Sequence, residues 1–258
     1  MQSTLIREAA HAARLLAPSI VIRRLDGTDN VDVRLDDRRG LYPASMIKTP
    51  LAAAALSLVE RGTLRLDQRI TVARSNMTTN DKPSPFVAGY EGTLSQYIEL
   101  MITRSDNVAT NQLFDVIGRE RATQIVHGLG LNLTAFRRKL SGSDPLIVDL
   151  QATGRNTHPA VDAALLFEMI ATDAIPFASR LREILGRQEW NEKLSPALRG
   201  GDHFAHKTGD TDEVSHDGGL LDTEEGPSYI VVVYTGLPSS ADNDRRFGAF
   251  MRAVRPLL

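Results

Sequence analysis

Ser45-Met46-Ile47-Lys48 sets a hydroxyl and an amine three positions apart, at the head of an apolar run that reads as a helix. On a helix, positions i and i+3 share a face with Cβ atoms about 5 to 6 Å apart, so the lysine reaches the hydroxyl. A serine hydroxyl is a weak nucleophile near neutral pH; it needs a base within hydrogen-bond reach or a charge that stabilises its alkoxide. For Lys48 to serve as that base its pKa must fall, which burial and a second ammonium such as Lys207 both promote. Alone, the pair reads equally well as a surface serine and lysine. Two further motifs follow once each, Ser105-Asp106-Asn107 and Lys207-Thr208-Gly209. A chain of this length holds roughly one Ser-x-x-Lys by chance, but only about one chain in twenty holds each fixed triplet. The ordered set therefore carries the argument, and it points to nucleophilic catalysis by an activated serine.

Motifs so far apart meet only if the fold returns the chain to one place. Leu5, Ala9, Ala12 and Leu16 recur at helical spacing, which predicts an amphipathic helix ending near Pro18. Ser19 to Leu25 and Val31 to Leu35 are β-rich runs joined through Asp26-Gly27, a hairpin signal. From Met46 to Arg61 the pattern is strongly helical; Pro50 is acceptable in the first turns and Gly62 stops it. Leu94 to Met101, Asn107 to Ile117 and Pro159 to Ile170 predict further helices, with a polar break at Arg104-Ser105-Asp106. Val214 to Leu221 and Tyr229 to Tyr234 are strand-like, and Arg245 to Val254 closes with a helix. The expected class is α/β in the α+β sense, an antiparallel sheet flanked by N- and C-terminal helices. Residues 1 to 40 and 195 to 258 form its α/β lobe, an all-α lobe of residues 41 to 194 is inserted, and the 258 residues make one domain with its site in the cleft.

Composition removes several function classes. Hydrophobic residues make up 42% and charged residues 24%, as in ordinary globular proteins. The formal net charge is -2 and the arginines are scattered, so nucleic acid is not an expected partner. The one dense basic stretch, Arg137-Arg138-Lys139, reads as a solvated turn or helix end. Cysteine is absent, which removes disulfides, thiolate nucleophiles and cysteine-bound zinc. His203, His206 and His216 are spaced suggestively, but there is no His-Glu-x-x-His, and neither a metal nor any other cofactor is expected. Leu51 to Val59 is too short for a membrane helix and is broken by Ser57. Arg7, Glu8, His11 and Arg14 interrupt the first twenty residues, so no export signal is visible there. The lone Trp190 reads most simply as core. No Gly-x-Ser-x-Gly elbow and no phosphate-cradling glycine loop occur.

The three motifs in this order resemble those of the penicillin-recognising serine hydrolases, and of class A β-lactamases in particular. The resemblance extends beyond them: Tyr42 to Val72, "YPASMIKTPLAAAALSLVERGTLRLDQRITV", is similar to that family's nucleophile helix and following strand. Residues 100 to 118, "LMITRSDNVATNQLFDVIG", resemble its second motif, and the 60 residues from Ser45 to Ser105 match the family's spacing. The resemblance implies that Ser45 is the nucleophile, Lys48 its activating partner, and Ser105 the hydroxyl that passes a proton to the leaving nitrogen. It implies that Asn107 orients the substrate's amide side chain, and that Lys207 and Thr208 hold its carboxylate from a strand edging the cleft. Gly209 then leaves room for close approach, and backbone N–H groups of Ser45 and Asp210 form the oxyanion hole. By the same count His216 falls where many members keep an arginine near the carboxylate pocket. His216-Asp217 therefore lines that pocket or forms a structural hydrogen-bonded pair. Members of the family are usually periplasmic or secreted.

One departure bears on mechanism. Family members that hydrolyse penicillins quickly carry an Ω-loop glutamate that activates the deacylating water, and the count places it near Ser141. Between Glu120 and Glu168 this chain has no glutamate. Residues 136 to 159, "FRRKLSGSDPLIVDLQATGRNTHP", resemble instead a branch with an Arg-Lys-hydrophobic signature. There Asp144 and Asp149 are the only carboxylates available as a replacement base, although loop aspartates more often cap or turn. The expected activity is opening of a β-lactam amide through an acyl-serine with slow deacylation, by a monomer acting on a small molecule. The alternatives are a D-alanyl-D-alanine peptidase and a single-turnover penicillin-binding sensor.

Overall fold

The structure, a computed structural model, describes residues 2–26, 31–142 and 146–258. Along the chain run α1 (Gln2–Ala12), β1 (Ser19–Arg24), β2 (Asp32–Leu35), α2 (Lys48–Glu60), β3 (Arg69–Thr71) and β4 (Glu91–Thr93). Then come α3 (Leu94–Thr103), α4 (Asn107–Ile117), α5 (Arg119–Gly128), α6 (Ala160–Ala171) and α7 (Ala178–Gly186). The chain closes with β5 (His203–Asp210), β6 (Ser215–Asp222), β7 (Ser228–Thr235) and α8 (Ala241–Val254).

The sheet draws on both chain ends. Its order is β2-β1-β7-β6-β5, and every neighbouring pair is antiparallel. β1 and β2 pair with Ile20 opposite Leu35 and Ile22 opposite Val33. The turn expected at Asp26-Gly27 lies partly outside the described residues, since Gly27 is not among them. Alternation along a strand sends successive side chains to opposite faces, and here both faces are covered. Ile230, Val232 and Tyr234 of β7 join a core built with α2 to α7, whereas Tyr229, Val231 and Val233 join a second core under α1 and α8. β7 is therefore apolar at consecutive positions, the pattern of a strand buried on both sides.

Several elements differ from expectation. The buried side of α1 is Ile6, Ala9 and Ala10, while Leu5 and Leu16 are exposed. The helix ends at Ala12, and the chain then turns through left-handed backbone at Arg14 and Ala17, so Leu16 lies off the helical stripe. α8 starts at Ala241, where Ser240 accepts a hydrogen bond from the Asn243 amide, a cap that moves the start four residues upstream. The polar sequences of α5 and α7 bury only one stripe each, Ala122, Ile125 and Val126 on one and Ala178, Leu181, Ile184 and Leu185 on the other. Lys139 is not solvated: its ammonium donates to Asn76 Oδ1 at 2.6 Å and reaches Asp115 at 2.8 Å, clamping the chain to α4. Among the described residues no helix is long and apolar enough to cross a membrane.

Candidate active site

Ser45 sits in a 3-10 turn, Ala44–Ile47, that runs straight into α2. In a 3-10 turn the side chains at i and i+3 eclipse, and Lys48 Nζ accordingly donates to Ser45 Oγ at 2.9 Å. The same nitrogen meets the Ser105 carbonyl at 2.6 Å, Ser105 Oγ at 3.1 Å and Asn107 Oδ1 at 2.8 Å. Four oxygens surround a group with at most three protons. As the neutral amine, Lys48 keeps a lone pair for a hydroxyl proton. Lys48 is fully buried, and burial pushes its pKa down to about 7 against the opposing pull of Asp106 and Asp81.

The second motif enters through strained backbone. Ser105 lies at φ 58 between α3 and α4, a left-handed conformation that costs a residue with a Cβ about 1–3 kcal/mol. That twist belongs to the break in which the Ser105 carbonyl meets Lys48 and Asp106 caps α4 by accepting from the Ala109 amide at 2.8 Å. Ala44, just before Ser45, is left-handed as well, at φ 47. Asn107 is held from behind: its amide donates to Asn80 Oδ1 at 2.5 Å and its Nδ2 to the Thr79 carbonyl at 3.2 Å.

The third motif arrives on β5, the edge strand of the sheet. Lys207 is fully buried, and its Nζ donates to Ser105 Oγ at 3.1 Å and to the Thr208 carbonyl at 2.9 Å. Burial, and then the charge of Lys48, push it well below the usual lysine range. Ser105 Oγ thus lies 3.1 Å from two amines. A Cβ on Gly209 would stand 3.0 Å from the Pro43 carbonyl and 3.1 Å from the backbone nitrogens of Ser45 and Met46. Only a glycine lets β5 approach the Ser45 backbone this closely. The Asp210 side chain meets Lys193 Nζ at 2.7 Å and accepts from Ser215 Oγ at 2.8 Å.

His216 and Asp217 do not form a pair with each other. His216 is buried and stacked on Tyr234 at 4.1 Å, with Nε2 2.8 Å from the Tyr42 carbonyl and Nδ1 2.7 Å from the Ser215 carbonyl and 3.2 Å from the Thr235 amide. Burial pushes its pKa down to about 4, so the ring is neutral and ties β6 to the segment entering Ser45. Asp217, one position on, meets His206 Nδ1 at 2.7 Å and accepts from the Leu194 amide at 3.1 Å. His206 in turn lies 3.0 Å from Asn191 Oδ1, which ties β5 to the loop after α7. Among the described residues no group of three or more His, Cys, Asp or Glu is arranged to hold a metal.

Of the two loop aspartates, Asp144 lies outside the described residues. Asp149 is an anchor: it pairs with Arg119 and accepts from the Lys139 amide at 2.7 Å and the Gln151 amide at 3.3 Å. Burial raises its pKa, but those bonds outweigh burial and leave it lowered. Ser141, where the count places the family glutamate, accepts from the Ile147 amide at 2.9 Å and closes the loop.

Ser45, Ser105, Thr208, Gly209 and Asp210 line one cleft of about 630 Å³. Its other walls escaped the sequence reading. Trp190 is a cleft wall rather than core, with its indole N–H donating to the Arg104 carbonyl at 3.2 Å. Asp81, Glu192, Lys193 and Asp244 also face the space. They come from loops and a helix start whose sequence carries no periodic signal.

Comparison with known proteins bears on the family and the fold. The chain is 24% identical over 275 residues to the extended-spectrum beta-lactamase PER-1 of Pseudomonas aeruginosa, covering 98% of this chain and 86% of that protein. Its fold superposes on PBP-A with a TM-score of 0.86 at 25% identity, covering 98% of this chain and 95% of that one. A PBP-A mutant described as an acyl-enzyme complex with penicillin G superposes with a TM-score of 0.85, also at 25% identity, covering 98% of this chain and 96% of that one. The model of the beta-lactamase enzyme family matches residues 3–254, and the chain belongs to that family.

Proposed function

We propose that this single-domain chain acts as a monomer of serine β-lactamase type, with Ser45 opening the cyclic amide and carrying the acyl group. One observation bears most weight: the Ser45 hydroxyl, the Ser105 hydroxyl and the Asn107 amide oxygen converge on one buried amine whose pKa is about 7. Neutral Lys48 takes the Ser45 proton as Oγ attacks the lactam carbonyl. The oxyanion is received by the backbone N–H groups of Ser45 and Asp210, which the glycine at 209 allows to lie close. The C–N bond breaks as a proton passes from Lys48 through Ser105 Oγ to the leaving nitrogen, leaving an ester on Ser45 and a secondary amine. Thr208 meets the substrate from β5, Lys207 supports Ser105 Oγ from beneath, and Asn107 holds the substrate's amide side chain. His216 acts at one remove, by holding the strand and the nucleophile's segment together.

Hydrolysis of the ester needs an activated water. A positioned general base is worth about 10² to 10⁴ in rate, and Asp149 is committed to Arg119. We therefore assign slow deacylation. The family match does not favour the peptidase and single-turnover sensor readings. The test is to incubate the protein with a penicillin and map the adduct by mass spectrometry. A single acyl group on Ser45, lost in Ser45→Ala, is the expected result; labelling that persists in Ser45→Ala removes the assignment.

A further inference from the structure

The sole tryptophan of the chain, Trp190, stands in the cleft wall, and its place there is closely fixed. Three successive residues take up three successive carbonyls at the end of α3, where the chain runs into Ser105. Gln188 Nε2 donates to Ile102 at 3.0 Å, the Glu189 amide to Thr103 at 3.0 Å and the Trp190 indole N–H to Arg104 at 3.2 Å. A helix leaves its last carbonyls without intrahelical partners, so these bonds serve the helix as well as the loop. Lys82 Nζ covers the indole ring 4.4 Å from its centroid and pairs with Glu189 at 3.0 Å. Trp190 lines the cleft and Lys82 does not, so the surface that the ring gives to the cleft is not the one under the ammonium. An indole held at its polar edge and across its face loses little further freedom when a ligand packs against it.

Resting on the acyl-serine reading above, we propose that Trp190 is a specificity-determining residue that walls the leaving-group side of the cleft and selects bicyclic lactams over monocyclic ones. The indole is bonded to the residue just before Ser105, the hydroxyl assigned to protonate the departing nitrogen. Its ring therefore borders whatever that nitrogen carries. In penicillins and cephalosporins the nitrogen belongs to a second ring fused to the lactam; in a monocyclic lactam it does not. A flat, rigid, apolar wall at that place gains contact area from the second ring and little from its absence. The selection is by shape and apolar contact, separate from the anionic group that both kinds of compound can carry.

The experiment uses two compounds with the same acylamino side chain, penicillin G and a monocyclic β-lactam with a sulfonate on its nitrogen. Second-order acylation of Ser45 by each is followed by intact mass in the unaltered protein, Trp190→Ala and Trp190→Phe. In Trp190→Ala the penicillin-to-monocycle rate ratio should fall by about tenfold. Taking a ratio cancels any uniform effect of the substitution on Lys48 or Ser105. Trp190→Phe keeps an aromatic face and should hold the ratio within about threefold of the unaltered protein. Because the chain has no other tryptophan, the emission of Ser45→Ala protein reads the contact directly, with position 190 untouched. Saturating penicillin G should shift or quench that emission, and the monocycle should do so much less. A ratio unmoved by Trp190→Ala, one lost as fully in Trp190→Phe, or an emission that does not tell the two compounds apart overturns the inference while leaving the acyl-serine reading intact. Absence of any Ser45 adduct from either compound overturns that reading and the inference together.

Discussion

At the residue scale, the proposed chemistry turns on the proton state of one buried amine. Lys48 accepts a proton from Ser45 only when neutral, and its pKa of about 7 places the change within the working range. Below that value the ammonium dominates in the folded protein. The acylation rate should therefore fall by about tenfold for each pH unit below 7 and level off above it. Stopped-flow acylation from pH 5 to 9 checks this; a rate that stays flat down to pH 5 means that Lys48 is not the base. The three motifs were legible because fixed triplets survive in sequence whatever the fold does between them. Trp190, Lys193 and Asp244 were not, since a lone tryptophan, a loop lysine and an aspartate in the first turn of α8 look the same in or out of a cleft. His216 was placed near the site by counting, and only the fold shows its ring bonded to the Tyr42 carbonyl.

At the element scale, the site depends on an edge strand lying against a 3-10 turn. Gly209→Ala would put a Cβ 3.0–3.1 Å from three backbone atoms, which cannot rotate away as a side chain can. β5 must then retreat from Ser45, and the oxyanion donors separate. Acylation should fall by about 10² to 10³ while the protein remains folded by circular dichroism; a loss below about threefold contradicts the placement of β5. The loop after α7 is tied to the sheet through His206, Asp217 and Asn191. His206→Ala leaves the fully buried Asp217 carboxylate without its main partner, at a cost of about 3 kcal/mol. Urea unfolding should show a lower midpoint with an unchanged slope; a loss under about 1 kcal/mol contradicts the role. Helix and strand existence was legible wherever an apolar run was strong, as in α2, α6 and β7. The face of α1 was misread because its stripe was extended past a helix end set by backbone turns at Arg14 and Ala17.

At the scale of the whole molecule, a twice-covered sheet, with α1 and α8 on one side and the larger helical core on the other, fixes two chain ends and the middle around one cleft. That architecture brings the proposed acylating groups together. The loop after Phe136 is held by Lys139, Asn111 and Arg119, yet it offers no glutamate for the second half of the reaction. Acylation and deacylation should therefore run at very different rates. Rapid mixing with a chromogenic cephalosporin, followed by intact mass, tests this most directly. The account predicts a burst near one equivalent per active site, a slow steady rate after it, and an acyl-enzyme on Ser45. Fast multiple turnover with no trapped acyl-enzyme, unchanged in Asp144→Asn and Asp149→Asn, would contradict it.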